Sequence, residues 1–248
     1  ILSDVVGDAM SVIASGPTYK DETTFKEAIE IAKQYNIWVD LPESIKKYLK
    51  KGNEGKFLET PDFIPENINN YLVSNNMVAL KAAEDLAKKE GFNTMILTNQ
   101  NTGEAKEVAR CLMGVAKYIQ DFNKPVKVPA AIIIGGEMTV TFNNMDGEGK
   151  GGPNREFVLS SAIEISDRNN IVVAGADTDG VDGKGKSGAI ADTYTVRREV
   201  KDVKHYLDKH ETEDFFDSMG DSLEFSSDTN VNDIDVILIG DEFQHLRT

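Results

Sequence analysis

Five consecutive apolar residues, Ala130 to Ile134, limit the fold more tightly than any other feature of this sequence. A strand that is apolar at every position, instead of at alternate ones, belongs in a sheet covered on both faces. Ile171 to Gly175 repeats the signal, and Val236 to Ile239 closes the series of strands. Shorter strands are expected at Tyr71 to Val73, Thr94 to Thr98 and Met138 to Phe142. Segments of helical period lie between them. Asn75 to Glu90 puts Ala79, Leu80, Ala83, Leu86 and Ala87 on one face, stopped by Gly91; Gly103 to Gln120 gathers Val108, Cys111, Leu112, Val115 and Ile119 in one stripe. Arg155 to Ile165 reads as a further helix, and short ones are expected near 192–200, 203–209 and 212–219. Alternating helix and strand signals predict an α/β fold, with a three-layer carboxyl-terminal domain around a mixed, mostly parallel sheet.

The first third of the chain reads differently. Ile1 to Val6 has the pattern of a buried strand, so a portion preceding Ile1 is expected. Thr24-Phe25-Lys26-Glu27 is a capping box, with Phe25, Ile29, Ile31 and Ala32 following at helical spacing. Pro42 suits a first helical turn and sets Ile45 and Leu49 on one face. Gly52 to Asn70, rich in Gly, Pro and Asn, predicts a linker between two domains.

Composition narrows the partners. With 248 residues, 40% of them hydrophobic, the chain can bury a large core. No apolar run reaches the roughly 18 residues needed to cross a bilayer, and Asp4 and Asp8 do not suit a signal peptide. The single cysteine, Cys111, can form neither an internal disulfide nor a thiolate metal site, which points to a reducing cytoplasm. A net charge of −15 disfavours nucleic acid and membrane surfaces. An anionic metabolite then needs local N–H groups, Lys, Arg or a metal ion.

Three loops supply such groups near strand ends, where open α/β sheets bind ligands. Gly135-Gly136-Glu137 follows the apolar strand; its glycines allow close backbone approach to an anion, and Glu137 suits a metal or a hydroxyl. Gly147 to Arg155 leads through Lys150, Gly151, Gly152, Pro153 and Asn154 into a helix, whose first N–H groups favour phosphate or carboxylate. Asp177-Thr178-Asp179-Gly180-Val181-Asp182-Gly183 carries carboxylates suited to Mg²⁺ or to general-base work. The alternatives are a tight turn, a mobile connection and an acidic surface turn. Gly180 to Ser187 also matches the G-x-x-x-x-G-K-S pattern of a phosphate-binding loop. No amphipathic helix opens at Lys186, and too few strands follow, so the match reads as a mimic. His205, His210 and His245 lie away from these loops and are expected at the surface.

Taken together, these segments resemble a known family. Ser3 to Asp8, Val12 to Thr18, Gly135-Gly136-Glu137, Gly151-Gly152-Pro153-Asn154, Asp177 to Gly183 and Thr229-Asn230-Val231-Asn232-Asp233 occur in the order found in the glycerate 2-kinase family, whose carboxyl-terminal domain is called MOFRL. The resemblance implies ATP-dependent phosphorylation of D-glycerate to 2-phosphoglycerate, with Mg²⁺ or another divalent cation. It implies two α/β domains around a cleft, and a longer amino-terminal region than this chain carries. On that reading residues 1–66 are the remnant of a Rossmann-like domain and linker, and 67–248 the MOFRL-like domain. Asp177 and Asp179 would hold the metal or orient the substrate hydroxyl. Gly151, Gly152 and Asn154 would bind an anion, with Gly135, Gly136 and Glu137 nearby. Arg155, Lys184 and Lys186 would be charge partners, and Ser15 and Gly16 would line the cleft from the other domain. Many members carry Arg where this chain has Pro153, and Gln where it has Arg155; whether Arg155 replaces that arginine is open, since two residues on a helix start turn a side chain by about half a revolution.

The expected partners are therefore glycerate and a nucleotide, with no nucleic acid and no membrane, in the cytoplasm; self-association into a homo-oligomer is left open. Two other classes compete with the kinase: a hydroxypyruvate reductase-like enzyme and a non-catalytic metabolite-binding fragment. The former needs a nicotinamide site, and no G-x-G-x-x-G follows a strand.

Overall fold

The computed structural model describes residues 1–142, 149–198 and 202–241. The chain divides into two compact units, Ala9–Tyr71 and a larger one formed by Ile1–Asp8 with Leu72–Thr248. Ile1–Asp8, expected with the amino-terminal domain, thus belongs to the larger unit. The predicted strand there reduces to one bridge, Leu2 to Ser74. Backbone bonds from Ser3 N to Ser74 O and from Val73 N to Ile1 O flank it, which also accounts for the strand expected at 71–73.

The smaller unit is built on helices α1 (Phe25–Gln34) and α2 (Glu43–Asn53). The capping box forms as expected, with Thr24 and Glu27 each accepting from the other's backbone. Gly52 lies in the last turn of α2, pressed on Phe25; a Cβ there would sit 2.4 Å from the Phe25 ring. The Gly52–Asn70 segment is not a linker. Phe57 stacks on Tyr48 with centroids 4.9 Å apart, and Thr60 Oγ1 donates to Asp21 Oδ2 at 2.6 Å. Its Gly, Pro and Asn serve turns inside a packed unit.

The larger unit holds strands β1 (Asn93–Glu104), β2 (Ala130–Thr139), β3 (Ile171–Asp177), β4 (Gly188–Asp192), β5 (Ser222–Leu223) and β6 (Asp233–Ile239). They form one sheet in the order β1-β2-β6-β3-β4-β5. The predicted mixed sheet is present, but it is mostly antiparallel. β1 and β2 run parallel; every other neighbouring pair is antiparallel. Continuous apolar runs report that both faces are covered, and helices cover them here whatever the strand direction. Helix α3 (Asn76–Lys89) packs on β1, β2 and β6 on one face, while α4 (Ala105–Phe122) and α5 (Pro153–Glu164) cover the other.

Local chemistry sets the helix ends. Asn75 caps α3 by accepting from Val78 N. Asn123 ends α4 in the left-handed conformation, and Pro153 occupies the first turn of α5. The core joins Ala109, Met113, Ala116 and Ile119 of α4 to Phe157, Val158 and Ala162 of α5 and to β2, β3, β4 and β6. Cys111 is exposed, and so is Leu86. Both lie a residue or two off the buried stripe, an error that apolar spacing alone does not resolve. Short helices α6 (Thr195–Arg198), α7 (Val203–Asp208) and α8 (Thr212–Met219) complete the unit. Among the described residues no helix is long and apolar enough to cross a membrane.

Candidate active site

Three of the sequence segments converge where β2 and β3 end and β6 begins. Asp177 is the last residue of β3, directly opposite Asp233, the first of β6. Two residues further along, Asp235 faces Gly175. Asp233 and Asp235 share the strand face of Ile237 and Ile239, which enter the core under α4 and α5. The two loops are tied together: Thr178 Oγ1 donates to Asn232 O at 2.8 Å and accepts from Val231 N. Asn76 of α3 donates through Nδ2 to the carbonyls of Val231 and Asp233.

Gly135 and Gly136 lie inside β2, not in a turn after it; the predicted strands Ala130–Ile134 and Met138–Phe142 join into one that runs to Thr139. Their small size serves packing. A Cβ on Gly135 would meet Asn76 Oδ1 at 1.9 Å, and Gly136, at φ +145°, would press on the Asn101 backbone. Glu137 is exposed, and alternation turns it away from Met138, whose N–H donates to Asp233 Oδ2 at 3.2 Å. Glu137 is therefore not part of the carboxylate cluster.

The start of α5 already holds an anion, and the protein supplies it. Pro153 has no N–H. The next two amides, Asn154 and Arg155, donate to Asp182 Oδ1 and Oδ2, each at 3.0 Å. Arg155 Nε also reaches Asp182 Oδ2 at 3.2 Å, and Nη2 donates to the Asp182 carbonyl at 2.6 Å. Arg155 is 0% exposed. Its guanidinium is spent on Asp182 and lies 3.6 Å from Glu213, so it cannot meet an incoming phosphoryl group. The expected anion seat on these amides, and the expected catalytic Arg155, are corrected accordingly. Both arise because Asp182 is placed as a cap by a loop that a local reading assigns to the metal.

Burial sets the protonation of this cluster. It pushes Asp177 up to about 6 and Asp233 up to about 7, the latter against the hydrogen bonds it accepts from Asn154 and Met138. Charge repulsion adds to both shifts: Asp179 and Asp182 act on Asp177, and Asp177 and Asp182 act on Asp233. Burial also raises Asp182, while the two amides and the Arg155 guanidinium pull it down. Asp177 is half-buried and open to a ligand; Asp233 is 4% exposed.

A cavity of about 270 Å³ adjoins the start of α5, lined by Val140, Phe142, Gly151, Gly152, Glu156 and Lys184 among others. Lys184 is exposed at its edge. Lys186 is part-exposed, and its ammonium donates to Asp217 at 2.9 Å, a bond that raises its pKa. The G-K-S mimic leads into strand β4 at Gly188, so it opens no helix. His210, expected at the surface, is 3% exposed. Its Nδ1 pairs with Glu156 Oε1 at 2.5 Å, and its ring lies 4.4 Å from that of Phe142. His205 is exposed as expected; Gly147 and His245 lie outside the described residues. Ser15 and Gly16 line a separate cavity of about 330 Å³ within the smaller unit, with Pro17, Thr18 and Asp21. Ala14 and Ser15 there adopt positive φ, at 50° and 64°.

The all-oxygen pair Asp177 and Asp179 fits a hard divalent cation. One oxygen of each accepts a local N–H, from Asp179 at 3.1 Å and Val181 at 2.7 Å. Mg²⁺ commonly takes only one or two carboxylates and completes its shell with water and substrate phosphates. Among the described residues no group of three or more His, Cys, Asp or Glu is placed to hold a metal ion.

Comparison with known proteins adds to this geometry. The sequence profile described as MOFRL family matches residues 130–233, and that described as Domain of unknown function (DUF4147) matches residues 1–50. A glycerate 2-kinase of Pyrococcus horikoshii is 37% identical over 96% of this chain and 55% of its own length. A putative hydroxypyruvate reductase of Agrobacterium vitis is 40% identical over 97% of this chain and 54% of its own. The crystal structure of a glycerate kinase from Thermotoga maritima superimposes with a TM-score of 0.82 at 33% identity, over 96% of this chain and 56% of that one. This chain thus spans about half the length of the curated relatives it matches. The ordered motifs, the matched profile and these relatives place the chain in the glycerate 2-kinase (MOFRL) family.

Proposed function

We propose that the complete protein is an ATP-dependent glycerate 2-kinase, and that the Asp177–Asp233 pair is the centre of its chemistry. The observation that carries the reading is a half-open carboxylate, Asp177, facing a buried one, Asp233, across two strands. Phosphoryl transfer needs little covalent work from a protein; it needs a positioned hydroxyl and neutralised charge. Asp177, pushed up to about 6, is the group that meets the substrate hydroxyl and takes its proton. Asp233 lies behind it, fixed by Asn154 Nδ2 at 2.6 Å. Lys184, exposed beside the cavity, would face the anionic end of the substrate or nucleotide. Asp179 would help hold a divalent cation, which, when bound, supplies positive charge to the nucleotide phosphates.

The assay is ADP release from the complete protein with glycerate and ATP, with the position of the new phosphate read by phosphorus NMR. Formation of 2-phosphoglycerate is expected. The name of the Agrobacterium relative keeps a reductase in view. Hydroxypyruvate-dependent oxidation of a nicotinamide cofactor, without ADP release, would replace the kinase reading.

A further inference from the structure

Asn154 donates in two directions from one amide nitrogen. Its Nδ2 lies 2.6 Å from Asp233 Oδ1 and 3.3 Å from Asp182 Oδ1. The opposite orientation would point the amide oxygen at two carboxylates, so this one is fixed by charge. The amide oxygen, Asn154 Oδ1, then turns the other way, is buried, and meets no donor. Asp235 stands on that side. It is 0% exposed, and neither of its carboxyl oxygens has a hydrogen-bond partner. The two residues share one small space. A Cβ on Gly175 would lie 2.5 Å from Asp235 Oδ1 and 3.3 Å from Asn154 Oδ1. Gly175 leaves open a space that any side chain at that position would fill.

Two facing acceptors with no donor between them are a costly arrangement in a protein interior. One proton removes the conflict. A protonated carboxyl supplies an O–H where an ionised one supplies only acceptors. Burial first, and then the acidic neighbours Asp233 and Asp182, disfavour a charge on Asp235, and the buried guanidinium of Arg155 is committed to Asp182.

We propose that Asp235 is a neutral carboxylic acid whose O–H donates to Asn154 Oδ1, directly or through one water, and so holds the Asn154 amide against Asp233. Asp235 is a positioning residue, acting on the reacting groups only through Asn154. The activity arm of its test rests on the kinase reading above; the spectroscopic arm does not.

The experiment combines infrared difference spectroscopy with kinetics on the complete protein. At neutral pH any protonated carboxyls of other residues are common to the two proteins, so the difference between wild type and variant isolates Asp235. A protonated-carboxyl stretch is expected there in the wild type and is absent from Asp235→Asn. If the two spectra are the same in that region, Asp235 is ionised and the proposal is overturned. In kinetics, Asp235→Asn keeps an N–H donor for Asn154 and retains kcat within about threefold, because the position of Asn154 is preserved. Asp235→Leu removes the donor and lowers kcat by on the order of 10²-fold with little change in KM, as misplacement of a reacting group does. Equal losses in the two variants would mean that a negative charge at 235 matters, and would overturn the proposal. If the wild type releases no ADP, the kinase reading fails, and the infrared band alone decides the state of Asp235. If Asp235→Leu does not fold, the band and the Asn variant still decide.

Discussion

Gly152→Ala is the most informative single change in this molecule. Gly152 has an extended backbone, φ −150°, so alanine is not strained there by conformation. The conflict is one of space: the new Cβ would lie 2.3 Å from Asp182 Cγ and Oδ1 and 2.4 Å from the Asp182 carbonyl carbon. Backbone cannot give way as a flexible side-chain tip can, so Asp182 must move. It then leaves the amides of Asn154 and Arg155 and the guanidinium it neutralises. Loss of a helix cap costs about 1 kcal/mol, and breaking a buried ion pair from one side costs about 3–5 kcal/mol. Partial movement reduces the sum, and we expect a net loss of about 3–5 kcal/mol. For a chain of this size that is a fall in Tm of about 6–20 °C. The only tryptophan, Trp38, lies in the smaller unit, so far-UV circular dichroism or hydrogen exchange of the α5 amides is the right probe. A double-mutant cycle isolates the cause: in an Asp182→Asn background the cost of Gly152→Ala should fall to less than half. A Gly152→Ala protein within about 0.5 kcal/mol of wild type, the range of an innocuous surface change, would refute the reasoning.

Asp177→Asn should lower kcat by about 10²-fold or more with the fold intact, as loss of a well-placed base does; steady-state kinetics with ATP and glycerate checks this. In the wild type kcat/KM should rise as pH rises through about 6, because Asp177 must lose its proton to act, and a flat profile there would exclude it as the base. Asp177 and Asp233 both have raised pKa values in the folded state, so the native chain holds more protons than the unfolded one between about pH 4 and about pH 7. Their contribution is fully present below the unfolded carboxylate range and is lost as pH rises through about 6 and about 7. Urea unfolding at about pH 5 and about pH 8 should show a fall on the order of 2 kcal/mol, much reduced in Asp233→Asn; an unchanged fall in that variant would point elsewhere. Lys186→Ala should leave turnover within about twofold, because Lys186 is engaged with Asp217 and Glu224 at the surface; a dead variant would restore the phosphate-loop reading that its sequence mimics.

The sequence exposed the layers of this fold and the acidic loop, and hid the other half of the site. Strands β2 and β3 were legible because each carries a continuous apolar run; helix α5, which buries Asn154, Arg155 and Glu156 beside its apolar residues, was marked instead by the glycines and Pro153 that open it. Asp233 and Asp235 were not, because two carboxylates at the head of β6 break such a run, and Val236 looked like the first residue of the strand. A period-two reading would have recovered them, since Asp233, Asp235, Ile237 and Ile239 all point to one face. Asp182 and Arg155 pair across 27 residues, and Glu156 and His210 across 54. No local pattern carries such pairings, so a buried arginine passed for a catalytic one, and a buried histidine for a surface one. The predominance of antiparallel pairing was equally out of reach, because β6 enters between β2 and β3 from far along the chain.

That insertion bears on how the protein is made. β2 and β3 are synthesised long before β6, and until residues 233–239 emerge each presents an open, apolar edge where its central partner will later lie. The nascent chain therefore carries two incomplete half-sheets with exposed ladder groups, a form prone to pairing with other chains. The last strand closes that gap, and its leading residue, Asp233, arrives opposite Asp177 in the same step. Completion of the sheet and assembly of the carboxylate pair are one event, so a ribosome-bound chain lacking β6 would have neither.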